Sequence, residues 1–303
     1  MESENQEKVV HVPVMMAEVL ETLQLKSGDC VVDGTLGMGG HALEILKKIG
    51  PQGSFIGIDR DEESLSRAKN HLRDYQSQCR FLHEDFRNLD KALDQEGIGQ
   101  VDAMFFDLGI SSFQLENSER GFSLKNDGPL DMRMDKKSYI SAYDLINSLS
   151  EKELSSILRN FGEEHFHNRI AHDLVRERQR NPIESTRGLS EVVLRAVPSY
   201  YQHQRIHPAT RTFQAFRIAV NRELEALEIV LEKCLQFLKN NARLCVISFH
   251  SLEDRIVKNK FRDFSQKKEL KIITKKPLCP QDEEMKINPR SRSAKLRVAE
   301  RIC

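Results

Sequence analysis

Four aspartates stand where strands of a predicted sheet end. Asp33, Asp59, Asp85 and Asp107 each follow a short apolar run that favours β-structure. The carboxyl ends of parallel strands meet at one edge of a sheet, and α/β folds bind their ligands at that edge. Four carboxylates placed there would repel a pyrophosphate but would attract a ligand that carries positive charge. The spacing therefore predicts a site for a cationic small molecule.

A glycine-rich turn follows the first of these strands. It contains Gly34, Gly37, Gly39 and Gly40, and a run with helical spacing begins directly after it. Glycine permits positive φ and close approach of a ligand to the backbone, and the first turn of a helix offers free amide groups. A P-loop would need a lysine and a serine or threonine here, whereas His41 follows Gly40. The turn therefore predicts a nucleotide-type cradle that is not a P-loop.

The side chains at the next two strand ends suit an adenosine. Asp59 is placed to bind the two ribose hydroxyls, and Asp85 with Phe86 offers a polar and an aromatic residue to frame an adenine. An adenosine that also carries positive charge is S-adenosyl-L-methionine, which we therefore expect as the cofactor. The alternative is that each aspartate only caps the helix or turn that follows it.

Strands alternate with helices through most of the chain. Four strand–helix units occupy residues 30–107, and the pattern resumes with one long helix at 210–238 and a strand at 244–249. Two further β-favouring stretches lie at 270–274 and 295–299. This order predicts an α/β, Rossmann-like sheet of about seven strands.

The pattern changes between these two parts. A long loop follows Asp107, and four helical segments come after it with no intervening strand. We expect residues 109–205 to form an all-helical insertion that recognises the substrate and offers a surface for a homodimer. Residues 1–108 and 206–303 would then form the catalytic domain.

The N-terminal segment predicts a helix that begins at Pro13. Val12, Met15 and Met16 have the helical spacing of core positions, so the two methionines are expected to fill core. Residues 1–7 are acidic, unlike a signal or transit peptide. We expect a cytoplasmic protein.

Composition sets further bounds. The 303 residues include 46 basic and 46 acidic side chains, so any surface for nucleic acid must be local. The six cysteines include no C-x-x-C pair, which favours reduced thiols in a reducing compartment. No His/Cys cluster has the spacing of a metal site, so we expect no metal. No apolar run is long enough to span a membrane.

Two stretches near the C-terminus carry local positive charge. Residues 255–276 hold nine basic and two acidic side chains, interleaved with Phe261 and Phe264. Residues 288–295 place arginines among short polar residues, which suits contact with phosphates. Both stretches predict contact with RNA, although a solvated helix face would explain part of the first.

Several blocks in order along the chain resemble the bacterial small-subunit ribosomal RNA cytosine-N4 methyltransferases, the RsmH/MraW family. The blocks are HVPV at 11–14, DLGISS at 107–112, RGFS at 120–123, DGPLDMRM at 127–134, HPATRTFQA at 207–215, SFHSLEDR at 248–255 and NPRSRS at 288–293. The turn at 33–41 also resembles the cofactor motif of S-adenosyl-L-methionine-dependent methyltransferases, except that Thr35 replaces the usual first glycine.

The resemblance implies the activity and a set of site residues. The activity is methylation of the exocyclic N4 of a cytidine in the decoding centre of small-subunit (16S) ribosomal RNA, within the assembled or assembling 30S subunit. The cofactor contacts carry over as Gly39, Gly40, His41, Asp59, Phe86, Asp107 and Gln114. Beside this carry-over, we expect RNA contacts from Arg133, His207, Arg211, His250, Arg290 and Arg292, although His250 could equally make a structural hydrogen bond.

Transfer to an amino nitrogen needs an acceptor for one of its hydrogens, because the nitrogen lone pair is delocalised into the cytosine ring. Asp107 is the first candidate, and Ser111 and Ser112 are alternatives whose expected main role is hydrogen bonding within the loop. Asp107 could instead serve the cofactor. DNA amino-methyltransferases follow this position with Pro-Pro and an aromatic residue, which are missing here.

Two other functions compete with the RNA methyltransferase. The second hypothesis is a DNA amino-methyltransferase, and the missing Pro-Pro and aromatic residue argue against it. The third hypothesis is a non-catalytic ribosome-assembly protein, and the intact glycines and aspartates argue against it.

Overall fold

The computed structural model describes residues 13–302, and within them the chain builds one mixed seven-stranded sheet. The strand order is β3-β2-β1-β4-β5-β7-β6, in which β1 to β5 run parallel and β7 is antiparallel to both of its neighbours. The predicted Rossmann-like sheet of about seven strands is confirmed. The strands are β1 (Cys30–Asp33), β2 (Ser54–Asp59), β3 (Cys79–His83), β4 (Val101–Asp107), β5 (Leu238–Ser248), β6 (Leu270–Ile272) and β7 (Lys295–Arg301).

The order of strands reverses direction between β1 and β4, which creates the crevice where doubly wound sheets bind ligands. Fourteen α-helices connect or flank the strands in the described residues. They are α1 (Met16–Leu23), α2 (Gly40–Ile49), α3 (Glu62–His71), α4 (Leu89–Gln95), α5 (Ser112–Glu116), α6 (Ala142–Ser148), α7 (Glu151–Gly162), α8 (His167–Arg178), α9 (Thr186–Ala196), α10 (Ser199–Gln202), α11 (Thr210–Asn221), α12 (Glu223–Phe237), α13 (Ser251–Gln266) and α14 (Asp282–Ile287).

The described chain divides into two compact units. The first contains residues 13–59, 63–109 and 230–302, and the second contains 60–62 and 110–229. Each has its own apolar core: β-strand residues such as Val31 and Phe105 lie in the first, and helix residues such as Leu158 and Phe216 lie in the second.

The second unit extends beyond the predicted insertion, 109–205, because α11 packs on α7. A Cβ atom on Gly162 of α7 would lie 2.6 Å from the carbonyl oxygen of Arg211, so the two helices approach closely at this glycine. Gln214 of α11 also donates its side-chain N–H to the Phe161 carbonyl at 3.0 Å. The unit therefore ends at Ile229 instead of 205.

The prediction of a single helix over 210–238 is wrong, because two helices and the start of a strand occupy that range. α11 ends at Asn221, and Arg222 has a left-handed φ of 49° before α12 begins. The Asn221 side chain donates to the Met132 carbonyl at 2.7 Å and accepts the Met134 amide at 2.8 Å. These bonds hold the chain at Asn221 to a distant loop, so the helix breaks there.

The helix predicted to begin at Pro13 begins at Met16 instead. Met15 has a left-handed φ of 54°, and its amide N–H donates to the Glu284 carboxylate at 2.8 Å. Met15 is fully buried, as predicted for core, whereas Val12 lies outside the described residues. A partner 269 residues away therefore sets the start of α1.

Five cysteines in the described part of the chain are free thiols, and Cys303 lies outside it. Cys245 is buried in β5, as expected of a strand residue, and Cys30 of β1 is half-buried. Within residues 13–302, none of the helices has the length and apolar character needed to cross a membrane.

Candidate active site

The glycine turn after β1 owes its shape to three glycines. A Cβ atom on Gly34 would lie 2.2 Å from the Phe106 ring, so only glycine fits beside that side chain. Gly37 and Gly39 have left-handed φ values of 54° and 82°, which lets the chain turn sharply into α2. The turn therefore brings backbone amides and the first turn of α2 to the carboxyl edge of the sheet.

Asp59 fastens this turn to the end of β2. Its carboxylate accepts the Gly37 amide N–H at 2.7 Å, while Leu36 donates to the Ile58 carbonyl at 3.0 Å. The side chain of Asp59 thus lies beside the turn, as the prediction of a ribose-binding carboxylate requires.

Thr35 links the ends of β1 and β4. Its hydroxyl accepts the Asp107 amide N–H at 2.6 Å and donates to the Asp33 carboxylate at 3.4 Å. The same Asp33 oxygen also accepts the Thr35 amide at 3.0 Å. Asp33 is therefore a buried part of the turn, which fits the alternative that it serves the local structure.

Asp107 is the side chain at this edge with an unmet acceptor. Its Oδ1 atom is buried and accepts no hydrogen bond from any residue in 13–302. Burial raises the pKa of Asp107 well above its usual value, and the neighbouring charges of Asp33 and Glu253 raise it further. Burial also raises the pKa of Asp33 to about 7. The edge therefore has acidic groups that would gain from a cationic partner.

His41 holds the other side of Asp107. Its Nε2 atom lies 2.9 Å from the Val14 carbonyl oxygen and its Nδ1 atom lies 3.6 Å from Asp107 Oδ2. The ring is buried and lies 4.8 Å from the Phe105 ring, centroid to centroid. Because a carbonyl only accepts, the Nε2 atom carries a proton, and Nδ1 is the ring nitrogen that faces Asp107.

At the end of β3 the structure supports capping for Asp85. Its carboxylate accepts the Arg87 amide at 2.9 Å and pairs with the Arg87 guanidinium at 2.9 Å, at the start of a short 3₁₀ turn. Phe86 is half-buried and lies edge-on to Phe106, with ring centroids 5.9 Å apart.

His250 begins α13. Its Nδ1 atom accepts the Glu253 amide at 3.4 Å, and the Glu253 carboxylate accepts the backbone amides of Phe249 and His250 at 2.9 and 3.3 Å. His250 Nε2 also lies 3.2 Å from Glu253 Oε1. The Nδ1 atom of the histidine predicted to contact RNA thus serves the start of α13, whereas its buried Nε2 atom makes no hydrogen bond to any residue in 13–302.

In the second unit, Ser111 and Gln114 form a reciprocal cap for α5. Ser111 Oγ accepts the Gln114 amide at 3.2 Å, and Gln114 Oε1 accepts the Ser111 amide at 3.0 Å. The Gln114 amide nitrogen donates to Asp61 at 2.6 Å, and Asp61 pairs with the buried Arg120 at 2.9 Å. The polar atoms of Gln114, an expected cofactor contact, are therefore engaged by protein groups.

Arg133, expected to contact RNA, closes a loop of the second unit. Its guanidinium binds both oxygens of Asp131 at 2.8 and 2.7 Å, and it donates to the Ser138 carbonyl at 2.7 Å. The arginine is thus committed to its own loop.

The other residues expected to contact RNA are more accessible. His207 is exposed, and half-buried Arg211 donates to the Glu163 carbonyl at 3.1 Å. In the first unit, Arg290 and Arg292 are exposed on a 3₁₀ turn whose central Ser291 is fully buried. Of the predicted basic stretch 255–276, Phe261 and Phe264 are buried in the first unit, so they are not available to stack on bases.

Sequence reasoning missed three site features. They are the hydroxyl of Thr35 and the Asp61–Arg120 pair, whose partners lie far along the chain, and the carboxylate of Glu253, which accepts amides three and four residues before it. The Ser-x-x-Gln pattern at 111–114 was a usable signal, because it is the sequence signature of a reciprocal cap.

The sheet order and the acidic edge beside a glycine turn define the class: the protein is a Rossmann-like methyltransferase. The sequence profile of the MraW methylase family matches residues 8–302. The chain therefore belongs to the MraW methylase family, which uses S-adenosyl-L-methionine as methyl donor.

Curated relatives cover almost the whole chain. The ribosomal RNA small subunit methyltransferase H of Geotalea uraniireducens (strain Rf4) is 48% identical over 96% of this chain and 98% of its own. The proteins of the same name from Clostridioides difficile (strain 630) and Halothermothrix orenii (strain H 168) are 43% and 45% identical, over 96% of this chain and 99% and 98% of theirs.

Proposed function

We propose that this protein transfers a methyl group from S-adenosyl-L-methionine to the exocyclic N4 of a cytidine in the decoding centre of small-subunit ribosomal RNA. The observation that carries the proposal is the buried, unpartnered Oδ1 atom of Asp107 beside the glycine turn. Family membership and the names of relatives that act on small-subunit ribosomal RNA support the substrate class.

The residues at the sheet edge fit this cofactor. Bound S-adenosyl-L-methionine supplies an electrophilic methyl group on a positively charged sulfur. The acidic groups Asp33 and Asp107, whose pKa values burial raises, favour a cationic ligand over a pyrophosphate. The proposed contacts in the first unit are Gly39, Gly40, His41, Asp59, Phe86 and Asp107. Gln114 is also proposed, and a contact from its amide would require exchange of its bond to Asp61.

Asp107 is the proposed acceptor for an amino hydrogen of the cytosine. A carboxylate whose pKa lies above its usual range is a stronger base than an ordinary aspartate, so it accepts a proton more readily. Thr35 fixes its backbone and His41 lies beside its second oxygen, which leaves Oδ1 as the atom in need of a donor. Ser111 is the second candidate acceptor, with its hydroxyl engaged in the cap of α5.

The substrate we propose is the assembled or assembling 30S subunit in the cytoplasm. The target base must leave its stack to enter a pocket, and phosphates around it would meet exposed cations. Arg290, Arg292 and His207 are exposed and suit that role, and Arg211 is half-exposed. Arg133 and His250 would act through the loop and the helix start that they hold. A homodimer through the second unit is part of the same proposal.

The test is methyl transfer from labelled S-adenosyl-L-methionine to purified small subunits that lack the modification, followed by nucleoside analysis. Label in N4-methylcytidine at one site of the RNA supports the proposal. Label in another nucleoside, or transfer to DNA alone, would contradict it.

The variant Asp107→Asn keeps the size of the side chain and removes its basicity. We expect a loss of rate of about 100-fold or more with the fold retained. Asp74→Asn, an aspartate whose side chain is 85% exposed, is the matched control and should transfer at the normal rate.

A further inference from the structure

Two adjacent tyrosines in the second unit have opposite environments. Tyr201 is 7% exposed, and its hydroxyl donates to the buried Glu164 carboxylate at 3.2 Å. Tyr200 is 69% exposed on the same short helix, α10. The buried tyrosine therefore fixes the backbone that displays the exposed one.

Tyr200 is the outer member of a group of aromatic rings. The Phe166 ring lies 6.4 Å from the Tyr200 ring and 5.0 Å from the Tyr201 ring, centroid to centroid, at edge-on angles. The guanidinium carbon of Arg169, which is exposed, lies 6.0 Å from the Phe166 centroid. The exposed Tyr200 ring and the half-buried Phe166 ring thus form an aromatic surface with a cation at its border.

The chain around Tyr200 is free of acidic residues. From 192 to 222 the sequence has five arginines and two histidines but no aspartate or glutamate. Arg205, His203 and His207 are exposed on the segment that follows α10. The acidic group bonded to this cluster, Glu164, is buried and accepts from the Tyr201 hydroxyl and from the Phe166 amide.

The exposed aromatic ring and the nearby cations together indicate a ligand that carries both negative charges and flat rings. Aromatic side chains stack on unpaired bases, and arginines nearby contact the flanking phosphates, which is the common means of binding single-stranded RNA. Aromatic residues and arginine are also common at protein interfaces, so the feature that favours a polyanion here is the absence of acidic side chains from residues 192–222. The surface therefore suits RNA better than protein.

We propose that Tyr200, Phe166, Arg169 and Arg205, the Tyr200 platform, stack on an unpaired base of the small-subunit RNA and contact its neighbouring phosphates. The proposal rests on the proposed function, because it assigns a second contact for the same RNA. The platform would hold single-stranded RNA without reading its sequence, since every base has a face that stacks.

The test measures binding of the full chain to a short fluorescein-labelled oligouridylate by anisotropy, without cofactor. Tyr200→Ala should bind about 5- to 100-fold more weakly, as the loss of one stacked base predicts. Tyr200→Phe keeps the ring and should bind within about twofold of the unchanged protein. Tyr139→Ala is the matched control, because Tyr139 is 97% exposed in the same unit and lies outside the platform.

Three results would overturn the proposal. One is equal affinity of Tyr200→Ala and the unchanged protein, and another is an equal loss in Tyr139→Ala. The third is lowered methylation of subunits by Tyr200→Ala with normal oligouridylate binding, which would assign the surface to a ribosomal protein. Methyl transfer by the unchanged protein is scored separately, so a failure of the proposed function is distinguishable from a failure of the platform.

Discussion

The amide N–H of Asp107 donates to the hydroxyl of Thr35 at 2.6 Å, so the end of β4 is fixed by the turn that follows β1. The same hydroxyl lies 3.4 Å from the Asp33 carboxylate. One threonine therefore joins two of the four aspartates that stand at the sheet edge. A glycine here, as the usual methyltransferase motif has, would lack the hydroxyl that makes this link.

Thr35→Val should lower both stability and methyl transfer. Valine has the shape of threonine without the hydroxyl, so the Asp107 amide loses its acceptor at a cost of about 1–3 kcal/mol in free energy of unfolding. Thr35→Ser keeps the hydroxyl and should retain most of both properties. Urea denaturation and a transfer assay measure the two effects. Equal stability of the valine and serine variants would show that the bond contributes nothing.

Asp33 should make stability fall as pH rises. Its pKa is about 7 in the folded protein and near 3.8 in the unfolded chain, so the folded state holds the proton more tightly. The stabilisation is complete below about pH 4, declines as pH rises, and is lost above about pH 7, with a total of about 4 kcal/mol.

Asp33→Asn tests this pH dependence, because asparagine cannot titrate and still accepts the bonds from Thr35. The difference in free energy of unfolding between the unchanged protein and the variant should shrink or reverse between pH 4 and pH 8. Denaturation curves across that range measure it. Parallel profiles would mean that Asp33 has an ordinary pKa.

Asp59→Ala should weaken cofactor binding by about 10-fold or more, since it removes a charged acceptor from the proposed ribose site. Asp59→Asn keeps an acceptor for the Gly37 amide and should bind with intermediate affinity. Calorimetry with S-adenosyl-L-methionine gives the dissociation constants. Asp94→Ala, an exposed position, is the control. An unaltered dissociation constant in Asp59→Ala would refute the ribose assignment.

Arg120→Met should lower the free energy of unfolding by about 3–5 kcal/mol, because it leaves the buried Asp61 carboxylate without its cation. The double variant Asp61→Asn with Arg120→Met should recover part of that loss. Chemical denaturation of the two single variants and the double variant gives the coupling energy. Additive losses would mean that the pair does not couple.

The strands and the acidic edge were predictable because their signals are local. Apolar runs that end in aspartate specify both a strand and its boundary, and parallel strands then gather Asp59 and Asp107 at one edge. The glycine turn was equally predictable, because Gly37 and Gly39 adopt the positive φ that favours glycine.

Two structural features that sequence reasoning missed depend on distant partners. The break after Asn221 needs the loop at 132–134, and the late start of α1 needs Glu284. Gln114 and His250 differ from these, because their capping partners are local, but each side chain suits ligand contact and helix capping equally, so the sequence alone does not decide between the two roles.

The discontinuity of the first unit bears on how the chain folds during synthesis. Its strands β1 to β4 are made before the second unit, but β5 and β7 are made after it. Until residue 238 is made, the edge of β4 lacks the neighbour that covers it, and an uncovered edge can pair with another chain. The second unit, nearly continuous in sequence, can become compact first. A nascent chain thus exposes a half-built sheet for the time needed to translate about 130 residues, which makes that interval its most vulnerable period for aggregation.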